Sequence, residues 1–154
     1  MRVAFFQPDI PQNVGAAMRL CACFGLALDI IEPCAFALSD KGIRKAAMDY
    51  QAHCTVNRHA SFTAFFQHMT ETKSRIVLMT TKGADPLWSF KFEENDCLLM
   101  GSESAGVPQD VHEAAHQRVV IPTAGGTRSL NIVTAAAIGL GHAASQGFTG
   151  AQMV

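Results

Sequence analysis

Cys97-Leu98-Leu99-Met100-Gly101-Ser102-Glu103-Ser104-Ala105-Gly106-Val107-Pro108 decides the fold. An apolar run of strand length enters a short loop with a glycine at each end. Pro108 then stands where a proline opens a helix, expected over Gln109–Ala115. The same alternation recurs in both directions. Strands are expected at Val3–Phe6, Leu28–Ile31, Ile76–Thr80, Cys97–Met100 and Val119–Ile121, and helices at Val14–Phe24, Ile43–Met48, Phe62–Met69, Gln109–Ala115 and Asn131–Ser145. This predicts one α/β domain over residues 1–154, with a mostly parallel sheet and helices on both faces.

Composition narrows the class. The 154 residues suffice for one core, and 49% hydrophobic against 16% charged residues gives no support for disorder. The apolar start, Val3 to Phe6, is too short for a signal-peptide core, and no run approaches a membrane span, so an intracellular, cytoplasmic protein is expected. Five cysteines, an odd number without a Cys-x-x-Cys pair, fit reduced core fillers better than disulfides or a zinc ribbon. With a net charge of −1, any grip on nucleic acid must come from local basic clusters.

Ligands of open α/β sheets sit beyond the carboxyl ends of the strands. Three loops qualify: Thr80-Thr81-Lys82-Gly83, Gly101 to Gly106, and Pro122 to Ser129. The glycine spacing of the second superficially suits a phosphate loop. However, Val107-Pro108 replaces the Lys and Ser/Thr that such a loop needs, which argues against nucleoside triphosphate binding. Near the N-terminus, Asn13 is suited to cap a helix. At about 100° per residue, Val14, Ala17, Met18, Cys21 and Phe24 share one face, while Arg19 projects from the small-residue side with Gly15, Ala16 and Cys23. Taken alone, that segment fits a solvated arginine equally well. The small residues of the last helix read as tight packing.

His112-Glu113-Ala114-Ala115-His116 matches the zinc-peptidase pattern. A catalytic zinc needs a third protein ligand, yet no Asp or Glu follows Glu113 and the one later histidine, His142, falls in a packing helix. No metal is expected, and the two histidines read as residues of a solvated helix.

Asn13-x-Gly15-x3-Arg19, Leu99 to Pro108 and Arg128-Ser129-Leu130-Asn131 together resemble the three ordered motifs of the knotted SPOUT RNA 2′-O-methyltransferases. The likeness continues through Ile30-Ile31-Glu32-Pro33, Asp40-Lys41, Arg44-Lys45, Asp49-Tyr50, Arg58-His59 and Thr80 to Gly83. It is similar in particular to the branch that methylates the wobble-position ribose of tRNA and consists of the catalytic domain alone. The resemblance implies a C-terminal trefoil knot, S-adenosylmethionine as cofactor, a tRNA anticodon stem-loop as substrate, and a homodimer whose facing subunits complete each site. It places cofactor contacts at Met79, Thr80, Gly101, Glu103, Ile121, Ser129 and Leu130, and catalysis at Arg19, Asn13 and Asn131. Asn131 would order the knot, and Lys41, Arg44 and Lys45 would meet the RNA backbone.

Arg19 is the base that the family implies. A guanidinium, with a pKa above roughly 12, normally only donates, so stabilisation of the alkoxide or phosphate is an equal reading. The chain departs from the pattern at Val133-Thr134, where Ser-Asn is usual, and at Gly141-His142, where Tyr-Glu is usual. Two alternatives follow: a 2′-O-methyltransferase for another tRNA or rRNA position, or a non-catalytic RNA-binding module of the same fold.

Overall fold

Twelve elements follow one another in the computed structural model, which describes residues 1–82, 84–124 and 129–148. They are β1 (Arg2–Phe6), α1 (Pro11–Phe24), β2 (Leu28–Ile31), α2 (Lys41–Ala47), β3 (Val56–His59), α3 (Phe62–Glu71), β4 (Arg75–Met79), β5 (Asp85–Pro86), β6 (Asp96–Met100), α4 (Gln109–Ala114), β7 (Gln117–Val120) and α5 (Ile132–Ser145). Short 3-10 turns lie at Met48–His53 and Leu87–Ser89. The strands form one sheet in the order β3-β2-β1-β6-β4-β7-β5, and every ladder is parallel.

Side chains of successive strand residues point to opposite faces, so an all-apolar strand feeds two cores. Val3 and Phe5 of β1 join Val77, Leu98 and Met100 under α1, α2 and α5. Ala4 and Phe6 join Ile76, Leu78, Cys97 and Leu99 under α3 and α4. Each fully buried large side chain, Phe5 or Leu98 for example, contributes about 1.5–3 kcal/mol. Helix α5 comes close enough to the sheet that a Cβ on Gly139 would lie 2.9 Å from Leu98 Cδ2 and 3.0 Å from Met79 Cε. Its small residues do serve packing.

Several expectations need correction. Strand β3 lies outside the expected set, because Val56-Asn57-Arg58-His59 holds a single aliphatic residue. It is held instead by its ladder to β2 and by His59 Nε2, 2.7 Å from buried Asp29 Oδ1. β5, also outside that set, has two residues and, among the described residues, pairs with β7 alone. Helix α1 begins at Pro11, a residue preset for the first helical turn, so Asn13 is its third residue and not its cap. Gly15, on the side expected to face away from the core, is buried against α2. Of the cysteines, Cys21, Cys54 and Cys97 fill the core, whereas Cys34 is half-buried and Cys23 exposed.

Charge enters the interior in pairs. Arg75 grips fully buried Asp96 with two hydrogen bonds, Nε to Oδ1 at 2.7 Å and Nη2 to Oδ2 at 2.8 Å. The expected C-terminal knot and the loop Pro122 to Ser129 include residues 125–128, which lie outside the described residues, as does Gly83 of the expected motifs.

Candidate active site

Strand order reverses between β1 and β6: from β1 the chain moves outward to β2 and β3, whereas from β6 it moves to the other side, to β7. Loops diverge at such a point and leave a crevice. Here it is a cavity of about 470 Å³ at the carboxyl ends of β4, β6 and β7, closed by the start of α5. All seven expected cofactor contacts line it: Met79 and Thr80 after β4, Gly101 and Glu103 after β6, Ile121 after β7, and Ser129 and Leu130 before α5.

The loop after β6 is shaped by its glycines. Ser102 and Gly106 exchange backbone hydrogen bonds of 2.8 and 2.9 Å, which folds the loop back on itself. Gly106 closes this turn at φ 69°, a conformation that side chains resist. A Cβ on Gly101 would lie 2.7 Å from the Gly106 Cα, so the two arms of the loop can meet only because Gly101 lacks one.

That loop is then tied to both other motifs. Glu103 Oε1 accepts from Asn13 Nδ2 at 2.8 Å, and its Oε2 accepts from the Asp9 N–H at 2.7 Å. Asn13 Oδ1 in turn accepts from Asn131 Nδ2 at 3.1 Å. Asn131 Oδ1 caps α5 by accepting from the Val133 and Thr134 N–H groups. One chain of side chains thus joins α1, the β6 loop and α5 at the wall of the cavity, where Asn13, Glu103 and Asn131 all stand. Beside it, the Asp9 carboxylate accepts from the Ser104 hydroxyl and N–H. These two donors, the hydroxyl foremost, hold the Asp9 carboxyl below its usual range.

The remaining expected site residues lie elsewhere. Arg19 does not border the cavity of its own chain. It is exposed on α1, where Nη1 approaches Met48 Sδ at 3.6 Å and the guanidinium lies 5.2 Å from the Tyr50 ring centroid. Lys41, Arg44 and Lys45 lie on the outer side of α2, which packs on α1.

Two histidines correct their expected setting. His112 is on α4 and borders the cavity, its Nε2 3.1 Å from the Lys82 carbonyl. His116 falls beyond the end of α4, and its Nδ1 accepts from the Ile76 N–H. The pair therefore does not share one solvated helix face. Sequence reasoning missed Asp9, Ile10 and His112 as site residues. Asp9 carried a signal: a carboxylate two residues before a helix-opening proline.

This geometry has counterparts among known proteins. The model of the SpoU rRNA Methylase family matches residues 1–141. The chain belongs to the SpoU methylase family. A tRNA (cytidine(34)-2′-O)-methyltransferase of Beijerinckia indica is 51% identical to this SpoU methylase over 144 residues, covering 94% of this chain and 90% of its own. A solved structure described for 2-OH methylation of C/U34 on tRNA matches with a TM-score of 0.89 at 34% identity, covering 94% of each chain. The SpoU methyltransferase AviRb from Streptomyces viridochromogenes, solved with AdoMet, shares the fold at a TM-score of 0.89 and 23% identity, covering 96% of this chain and 60% of that one. The expected α/β SPOUT architecture is therefore the observed one.

Where the chain departs from the pattern, it finds other partners. Val133 and Thr134 offer their N–H groups to the Asn131 cap. His142 lies 3.2 Å from the Phe90 carbonyl and 2.9 Å from Gln146 Nε2, tying α5 to the segment before β6. Among the described residues, no helix is long and apolar enough to cross a membrane.

Proposed function

We propose that this chain transfers a methyl group from S-adenosylmethionine to the 2′-hydroxyl of the wobble nucleotide of tRNA, a cytidine or a modified uridine. The observation that carries this reading is the tie of Glu103, Asn13 and Asn131 at one cavity wall, because it unites the three motifs whose spacing is otherwise only a pattern.

The cavity fits the cofactor. Its volume of about 470 Å³ is in the range of small-ligand pockets, and Met79, Ile121 and Leu130 offer apolar walls for a base and a thioether chain. Loop backbone around Gly101 and Leu130, both of which line the cavity, would supply polar contacts. When bound, the sulfonium supplies a methyl group already activated for displacement. What remains for the protein is to align the ribose oxygen in line with it, exclude water and ease loss of the hydroxyl proton.

Arg19 faces the growing negative charge on that oxygen or the adjoining phosphate. Asn13, held in the first turn of α1 by Glu103 and Asn131, offers an amide edge to the ribose, and Asn131 sets the entry to α5. Lys41, Arg44 and Lys45 contact anticodon-stem phosphates. Because Arg19 is off the cavity of its own chain, a facing subunit brings it to the reaction, which makes the enzyme a homodimer. The reading includes a single catalytic domain, a knotted C-terminal half and work in the cytoplasm without metal.

The test is transfer of labelled methyl to tRNA from cells lacking the modification, with mapping of the labelled nucleotide. A 2′-O-methyl group on nucleotide 34 is the expected result. Label on another ribose would move the substrate within the class, and cofactor binding without transfer to any RNA would overturn the enzyme reading.

A further inference from the structure

Arg19 is exposed on α1, and a free arginine side chain samples many rotamers, so a group that must meet one reacting oxygen needs something to hold it. Two side chains from the 3-10 turn after α2 do so. The guanidinium lies 5.2 Å from the Tyr50 ring centroid, within reach of the negative face of the aromatic system. Its Nη1 points at Met48 Sδ, a weak acceptor, at 3.6 Å. Met48 itself is unusual twice over. It is 57% exposed although large and apolar, and its backbone stands at φ 52°, ψ −138°, a region that residues other than glycine adopt at a cost. This conformation ends α2 and turns the chain so that residues 48 and 50 both reach α1. The close α1–α2 contact at Gly15, where a Cβ would meet Ala46 Cβ at 2.7 Å, fixes the distance across which they reach.

We propose that Met48 and Tyr50 form a cradle that holds the Arg19 guanidinium in one orientation, which makes Tyr50 a positioning residue for methyl transfer. The inference rests on the role given to Arg19 above. Tyr50 does not touch the cavity of its own chain, and the contact that ties it to the reaction is the one to Arg19. The ring face, not the hydroxyl, carries the interaction.

The test is steady-state methyl transfer to tRNA by Tyr50→Ala, Tyr50→Phe, Met48→Gly and Arg19→Ala, with thermal unfolding of each. Tyr50→Ala is expected to lower kcat about five- to tenfold while the KM for S-adenosylmethionine stays within about twofold. Tyr50→Phe is expected to keep at least about half of the parent rate, since the ring remains. Met48→Gly relieves the strained backbone and removes the sulfur, so the unfolding temperature should hold or rise while kcat falls about twofold. A merely structural role would instead move rate and stability together. A Tyr50→Ala rate within about twofold of the parent, or a Tyr50→Phe variant as impaired as Tyr50→Ala, overturns the cradle. Full turnover by Arg19→Ala overturns the underlying role of Arg19 and the cradle with it, whereas an inactive Arg19→Ala beside a fully active Tyr50→Ala overturns the cradle alone.

Discussion

Asn13 uses both ends of one small amide to reach residues 90 and 118 positions further along the chain. Its burial, at 9% exposure, makes both bonds matter, because a buried polar group without a partner costs about 1–3 kcal/mol. Asn13→Ala is expected to lower turnover at least about tenfold and stability by about 1 kcal/mol, read from methyl transfer and chemical denaturation. Asn13→Asp should do worse, since it sets a carboxylate against Glu103. The segment Asn13-x-Gly15-x3-Arg19 marks Asn13 by its pattern alone. Its task is not legible there, because an asparagine near a helix start fits a cap equally well. Only partners distant in sequence decide between the two. Tyr50 and Met48 illustrate the same limit, since a cation over a ring on a different element leaves no local pattern.

Elements are legible in proportion to their apolar content. Strands β1, β2, β4 and β6 are near-continuous apolar runs, buried on both faces, and their sequences announce them. Strands β3 and β5 are edge strands made mostly of polar residues and proline, and what holds them is pairing rather than burial. The β6 loop is legible as glycine spacing, but not its reason, the contact between Gly101 and Gly106. Gly101→Ala is expected to open this loop and weaken S-adenosylmethionine binding at least about tenfold by calorimetry, with a stability loss of about 1–3 kcal/mol from overpacking. At the far end of the same strand, Asp96 depends on Arg75. Arg75→Ala would leave a fully buried carboxylate without its cation and is expected to cost about 3 kcal/mol in denaturant unfolding, with donor affinity in the surviving folded protein unchanged.

For the whole molecule, a net charge of −1 means that the proposed recognition of RNA falls to local groups, for which the exposed Lys41, Arg44 and Lys45 are the candidates. The distance between Arg19 and the cavity of its own chain has a direct consequence for assembly. Mixing Arg19→Ala protomers with Gly101→Ala protomers, each impaired alone at limiting S-adenosylmethionine, is expected to raise activity above that of either. In a mixed dimer with composite sites, one site combines an intact cavity with an intact Arg19. No recovery on mixing and refolding would mean that each chain carries its own complete site.

The long reach of Asn13 also governs when the protein begins to work. In a chain emerging from the ribosome, the residues of β1, α1 and β6 leave the exit tunnel before Asn131 does, because they precede it in sequence. Until it does, the first helix and the β6 loop wait without their third anchor, and the crevice has no floor from α5. A chain that ends before Asn131 is therefore expected to bind S-adenosylmethionine weakly, which calorimetry on such a truncation would read.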